Sequence, residues 1–171
     1  MAREYSLWLT FDEASTGHTQ LQRVITSLAD TVEDAPEFEP HLTLVGGCDG
    51  ERATLIQTVD TLSDSTSALA LDISDIQCST TTHQCIFCLV EPSLPLLRLR
   101  RQAMRALGRA ASMYVPHVSL IYSDLPLDQR RAMAGAIDPA VIPNQVRATA
   151  IELVETSGAV TEWQSVYSVR L

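Results

Sequence analysis

Pro40-His41-Leu42-Thr43-Leu44 and Pro116-His117-Val118-Ser119-Leu120 are one phrase written twice: proline, histidine, an apolar residue, a hydroxyl, leucine. At average residue usage such a phrase arises by chance on the order of once per hundred thousand start positions, so two copies in one short chain point to an internal repeat. Each copy reads as strand. Successive side chains of a strand point to opposite faces, which sets His41 beside Thr43 and His117 beside Ser119, with the leucines and Val118 turned the other way. Two halves that fold alike and face each other would bring two imidazoles and two hydroxyls to one cleft.

The segments around the phrases alternate helix and strand. Tyr5 to Phe11 is a short apolar strand, and residues 19–32 carry Leu21, Val24, Ile25 and Leu28 at the spacing of one helix face. Gly46-Gly47 is expected to break the first motif strand before a helix at 52–62. Strands at 69–78 and 84–91 flank a Ser/Thr-rich turn and make a hairpin. A third helix is expected over 94–111, with Arg98, Arg100, Arg101, Arg105 and Arg109, and leads into the second motif strand at 114–122. A helix at 128–137 and strands at 145–155 and 162–170, joined at Ser157-Gly158, complete the chain. Helices and antiparallel hairpins mix without a regular βαβ rhythm, an α+β pattern. No linker separates the halves, so the chain reads as a single domain of residues 1–171 whose lobes pack around a cleft.

With 171 residues, 46% of them hydrophobic, the chain can bury a sizeable core. A formal net charge of −9 argues against a broad nucleic-acid surface, because such binding neutralises phosphates with Lys and Arg. A small nucleotide in a local pocket is compatible with it. The most apolar run, residues 85–90, is too short to span a bilayer, and Met1 to Tyr5 lacks a signal-peptide core, which predicts a cytoplasmic protein without membrane contact. Cys85 and Cys88 have the spacing of half a zinc site, but three residues apart on a strand they face opposite ways, and no second pair exists. Cys48, Cys78, Cys85 and Cys88 read as ordinary thiols, and no metal site is expected.

Histidine holds or releases a proton near neutral pH, so two across one pocket can serve as base and acid in a single turnover. Displacement at phosphorus needs a proton taken from the attacking oxygen and one given to the leaving oxygen. Thr43 and Ser119, roughly 6.6 Å along the strand from each histidine, are placed to hydrogen-bond the remaining phosphate oxygens. His18 and His83 lack the motif and read as structural residues.

PHLTLVGG and PHVSLIY resemble the paired signatures of the two-histidine phosphoesterase superfamily. The similarity is greatest to the cyclic phosphodiesterases of the plant and yeast type. Tyr5-Ser6-Leu7-Trp8, Phe38-Glu39-Pro40-His41, Gly46-Gly47 and the ending from Glu155-Thr156-Ser157-Gly158 to Trp163 share it, so it spans essentially the whole chain. The resemblance implies two pseudo-symmetric lobes, each an antiparallel sheet with helices outside, and an active site between them. It implies hydrolysis, with neither metal nor cofactor, of a 2′,3′-cyclic nucleotide or of ADP-ribose 1″,2″-cyclic phosphate to a phosphomonoester. His41 and His117 match the catalytic pair and Thr43 and Ser119 the phosphate-binding hydroxyls. Tyr122 matches the aromatic after the second motif, which requires the strand to bend or end there, and Trp8 is expected to border the base or ribose. Ser123 stands where the family often has glycine. His117 is expected to be the base and His41 the acid. The alternatives are RNA end-processing or 2′-5′ RNA ligase-like activity, with the arginines of the third helix docking RNA ends, and a non-catalytic module that holds a nucleotide or RNA end. A monomer is expected.

Overall fold

Strand β1 (Tyr5–Phe11) turns Leu7 and Leu9 into the core and Trp8 and Thr10 to the other face, and every later strand repeats this two-sided pattern. The computed structural model describes residues 3–171; Met1 and Ala2, part of the N-terminal reading above, lie outside the described residues. The other strands are β2 (His41–Cys48), β3 (Leu69–Cys78), β4 (Ile86–Val90), β5 (His117–Ile121), β6 (Gln145–Glu155) and β7 (Gln164–Arg170). Helices α1 (Thr16–Ala29), α2 (Arg52–Asp64), α3 (Leu94–Ala106) and α4 (Leu127–Ala136) lie between them. The chain is α+β, and all its strand pairs are antiparallel.

The strands run in the order β1-β2-β5-β4-β3-β6-β7, and β1 also pairs with β6, so six of them close into a ring. Strand β6 makes this possible by its length. It lies along β1 on one edge, while its other edge pairs with β3 through residues 145–148 and with β7 through residues 150–155. Helices α2 and α3 cover β2, β6 and β7, and α1 and α4 cover β5 and β3. The two lobes are therefore not the two halves of the sequence. Helix α1, from the first half, packs on β5 of the second, because the motif strands sit side by side at the seam.

Leu42 and Val118 are paired across that seam and fully buried, with Leu44 and Leu120 beyond them. Each such side chain contributes roughly 1.5–3 kcal/mol by leaving water, which pins the apolar face of both phrases and turns the histidine face outward. Several boundaries differ from expectation, three of them with a clear local cause. Helix α1 starts at Thr16, because Ser15 caps it by accepting from the His18 amide. Helix α3 ends at Ala106, because Gly108 follows with φ +63, the left-handed residue that stops a helix. Gly46-Gly47 does not end β2, which runs on to Cys48. Gly47, at φ +61, accommodates a bulge there, and pairing with β1 resumes at Tyr5 and Cys48.

Candidate active site

Because Leu42 opposes Val118 in an antiparallel pair, His41 stands across from Ser119 and Thr43 across from His117, all four on the face away from the core. The diagonal neighbours His41 and His117 are then roughly 7–8 Å apart at the backbone. The same face continues on β1, where Trp8 pairs with Thr43 and Thr10 with His41, and on β4, where Leu89 pairs with His117 and Phe87 with Ser119.

Both imidazoles are anchored alike. Nδ1 of His41 lies 2.7 Å from the Glu39 carbonyl, and Nδ1 of His117 lies 2.7 Å from the Val115 carbonyl, in each case two residues upstream across the motif proline. A carbonyl only accepts, so each Nδ1 carries the proton and each Nε2 is left for chemistry.

His41 is almost wholly buried, with the Trp8 indole stacked on it at 3.6 Å between centroids and 10° between planes. Phe38 meets its edge at 6.0 Å, and the Tyr122 hydroxyl lies 3.2 Å from Nε2. Trp8 thus backs the imidazole. Strand β5 ends at Ile121, which lets Tyr122 leave the alternation and reach His41 while stacking on Phe38 at 4.0 Å. Burial lowers the His41 pKa to about 4, against the Glu39 carbonyl, which raises it, and the nearby His117 lowers it further. Burial also lowers His117, less completely covered, while the Val115 carbonyl raises it. Burial pushes the Tyr122 phenol up, so it remains a donor, and it donates to the neutral His41.

The two hydroxyls are held differently. Ser119 Oγ donates to the His83 carbonyl at 2.9 Å and must give up that bond to donate to a phosphate. Thr43 is half-buried at the point where β2 runs past the start of β5. Three side chains replace the missing strand there: Tyr114 donates to the Thr43 carbonyl, Arg100 to that of Leu44 and Arg109 to that of Gly46. Loss of a hydrogen bond to a charged phosphate costs about 1.5–3 kcal/mol, so Thr43→Ala should lower kcat/KM about ten- to a hundredfold with little change in Tm. Ser119→Ala should lower kcat/KM and Tm together, since it also frees the His83 carbonyl. Steady-state kinetics and thermal melts check both variants, and unchanged kinetics in the two would assign the hydroxyls to the scaffold alone.

Three residues at the site were not expected from the sequence. His83, read as structural, is exposed and packs its ring against Tyr122 at 5.2 Å and Trp163 at 5.5 Å. Trp163 also meets Trp8 at 5.9 Å. Arg130 is buried, with its guanidinium donating to the carbonyls of Ser79, Thr81 and Leu125, so it ties the β3–β4 turn to the segment after β5. A lone arginine near the start of a helix carries no such signal in sequence. His18 is buried in α1 with Nε2 3.2 Å from the Glu39 carboxylate, apart from the motif face.

A cavity of about 930 Å³ opens beside this cluster, over β1, β6 and β7. Trp8, Phe38 and Trp163 form part of its wall, and neither motif imidazole lines it, so it adjoins the histidine pair without containing it.

The fold has counterparts among solved structures. Escherichia coli LigT complexed with 3′-AMP has a TM-score of 0.65 at 12% identity, covering 100% of this chain and 99% of that one. TT0787 of Thermus thermophilus has a TM-score of 0.65 at 12% identity, covering 98% and 97%. A structure described only as a phosphoesterase has a TM-score of 0.62 at 12% identity, covering 100% and 99%. At such identities the likeness speaks for the fold alone. The family model of cyclic phosphodiesterase-like proteins matches residues 1–171. None of the curated proteins matches the chain.

Proposed function

The chain belongs to the cyclic phosphodiesterase-like family, among the two-histidine phosphoesterases, and from that premise we propose that this phosphoesterase hydrolyses a cyclic phosphodiester, a 2′,3′-cyclic nucleotide or ADP-ribose 1″,2″-cyclic phosphate, to a phosphomonoester. One observation carries the reading: two imidazoles on adjacent strands, each with Nδ1 fixed to a carbonyl so that Nε2 is the reactive atom. Water oxygen attacks phosphorus, one ester P–O bond opens, the base takes a proton from water and the acid gives one to the leaving oxygen. Thr43, Ser119 and Tyr122 supply hydroxyl donors to the remaining phosphate oxygens, where negative charge gathers; Tyr122 does so by turning its hydroxyl from His41 Nε2 to the phosphate, which frees that lone pair for water. The 171 residues act as one bilobal domain.

Burial sets the proton preference of the pair: it lowers the pKa of both imidazoles, that of His41 to about 4, where the neighbouring His117 lowers it further. The proton goes to His117, the less buried partner, while His41 stays neutral with Tyr122 donating to its lone pair. This favours His41 as base and His117 as acid, the reverse of the order expected from sequence. The physical reason is burial: stacking under Trp8 shields His41 from the water that would solvate a charge. A bound phosphodiester anion raises both pKa values.

Exposed Arg98, Arg101 and Arg105 on α3 favour RNA ends as a second substrate class, but α3 packs on β2 in the helix layer, away from the histidine face. No helix of the described residues is long and apolar enough to cross a membrane, and the reading carries with it a monomer acting in the cytoplasm. Conversion of 2′,3′-cyclic AMP to a phosphomonoester should proceed undiminished with a chelator present. Retention of the cyclic phosphate under all conditions would leave only a binding module, and loss of turnover on chelation would put a metal in the mechanism.

A further inference from the structure

The cavity beside His41 differs in charge from the site it adjoins. Asp12, Glu13, Glu37, Glu39 and Glu152 line it against the single guanidinium of Arg170 and the His18 imidazole, which meets Glu39 at 3.2 Å. A substrate whose phosphate reaches the histidine pair must put something other than further phosphates into this space, because anions there meet a row of carboxylates.

Glu152 is the carboxylate best placed to read what enters. It pairs with Trp8 across β1 and so shares the histidine face, two strand spacings, roughly 10 Å, from β2. Its Oε1 accepts from Thr10 Oγ1 at 3.2 Å and from Ser168 Oγ at 3.5 Å, which fixes the group in place and leaves Oε2 for a ligand. A planar heterocycle with N–H donors on its edge would meet the free Oε2. Trp8, Phe38 and Trp163 give such a ring aromatic neighbours.

We infer that this cavity is a nucleobase pocket that selects nucleoside 2′,3′-cyclic phosphates whose bases present N–H donors to Glu152, guanine foremost, and rejects ADP-ribose cyclic phosphate. The inference rests on the phosphodiesterase reading above. Guanine places an N1–H and an N2–H side by side, so that both can converge on the free Oε2, whereas uracil offers a single N–H flanked by two carbonyls that the carboxylate repels. The diphosphate of ADP-ribose would bring extra negative charge to the acidic wall.

Initial rates of the full chain with the 2′,3′-cyclic phosphates of guanosine, cytidine, adenosine and uridine, and with ADP-ribose 1″,2″-cyclic phosphate, test it. The expected order of kcat/KM puts guanosine about ten- to a hundredfold above uridine, the effect of one charge-assisted hydrogen bond, with the ADP-ribose compound lowest. Glu152→Gln should compress the guanosine-to-uridine ratio toward one. Glu152→Asp, which keeps the charge but withdraws it by one methylene, should compress it in part and guards against a folding defect in the first variant. Equal rates on all four nucleotides, a preference for the ADP-ribose compound, or a ratio unmoved in both variants would overturn the pocket while leaving the phosphodiesterase reading intact. Turnover of none of the five compounds would overturn both together.

Discussion

His41→Ala and His117→Ala should each slow turnover of a 2′,3′-cyclic nucleotide by about 10²–10⁴, the usual cost of removing a general acid or base, while His18→Ala stays near the native rate. The pH profile separates the two roles. In the free enzyme the base must be neutral and the acid charged, so kcat/KM should follow a bell whose acidic limb reflects His41, near 4, and whose alkaline limb reflects His117, below the ordinary 6.5. The optimum of kcat/KM therefore lies on the acid side of 6.5, and that of kcat lies higher, because the bound anion stabilises both cations. His117→Ala should remove the alkaline limb and keep the acidic one. Loss of the acidic limb instead would restore His117 as the base, and a flat native profile would discard paired-histidine catalysis.

What made the site legible in sequence is the two-residue period of strands. Once Leu42, Leu44, Val118 and Leu120 are assigned to the core, His41, Thr43, His117 and Ser119 have to share the opposite face, and the structure places them there. The antiparallel pairing of the two phrases was less accessible, since a repeat implies similar local structure without saying which copies touch. The interleaving of the lobes was not accessible at all. Packing of α1 on β5 is a contact between distant segments that no local pattern announces.

The features the sequence hid are those that depend on an ending or a bend. Tyr122 reaches His41 only because β5 stops one residue earlier, and Gly47 reads as a strand breaker until the bulge opposite β1 shows that the strand continues. His83 has no motif of its own; its place beside Tyr122 comes from the β3–β4 turn, whose geometry is set by a residue of another helix. The unequal burial of the two imidazoles was equally hidden, because the phrases are nearly symmetric in sequence.

That turn leads to the second large effect. Arg130 is 5% exposed and its guanidinium holds three carbonyls, those of Ser79, Thr81 and Leu125, so truncation would leave three partly buried acceptors without their donor at once. Charge-assisted hydrogen bonds contribute about 1.5–3 kcal/mol each and do not add fully, so Arg130→Ala should lower the free energy of unfolding by roughly 3–5 kcal/mol in chemical denaturation. Arg130 touches no reacting atom and is a positioning residue. It fixes residues 79–81, and through them His83, whose carbonyl takes the Ser119 hydroxyl and whose ring packs on Tyr122. Arg130→Lys keeps the charge but cannot fork to three carbonyls, so it should recover part of the stability and little of the loss in kcat. A lysine variant with native kcat, or an alanine variant as stable as the native chain, would show that the turn holds its shape without this clamp, and the Ser119 and Tyr122 hydroxyls would then owe their positions to β5 alone.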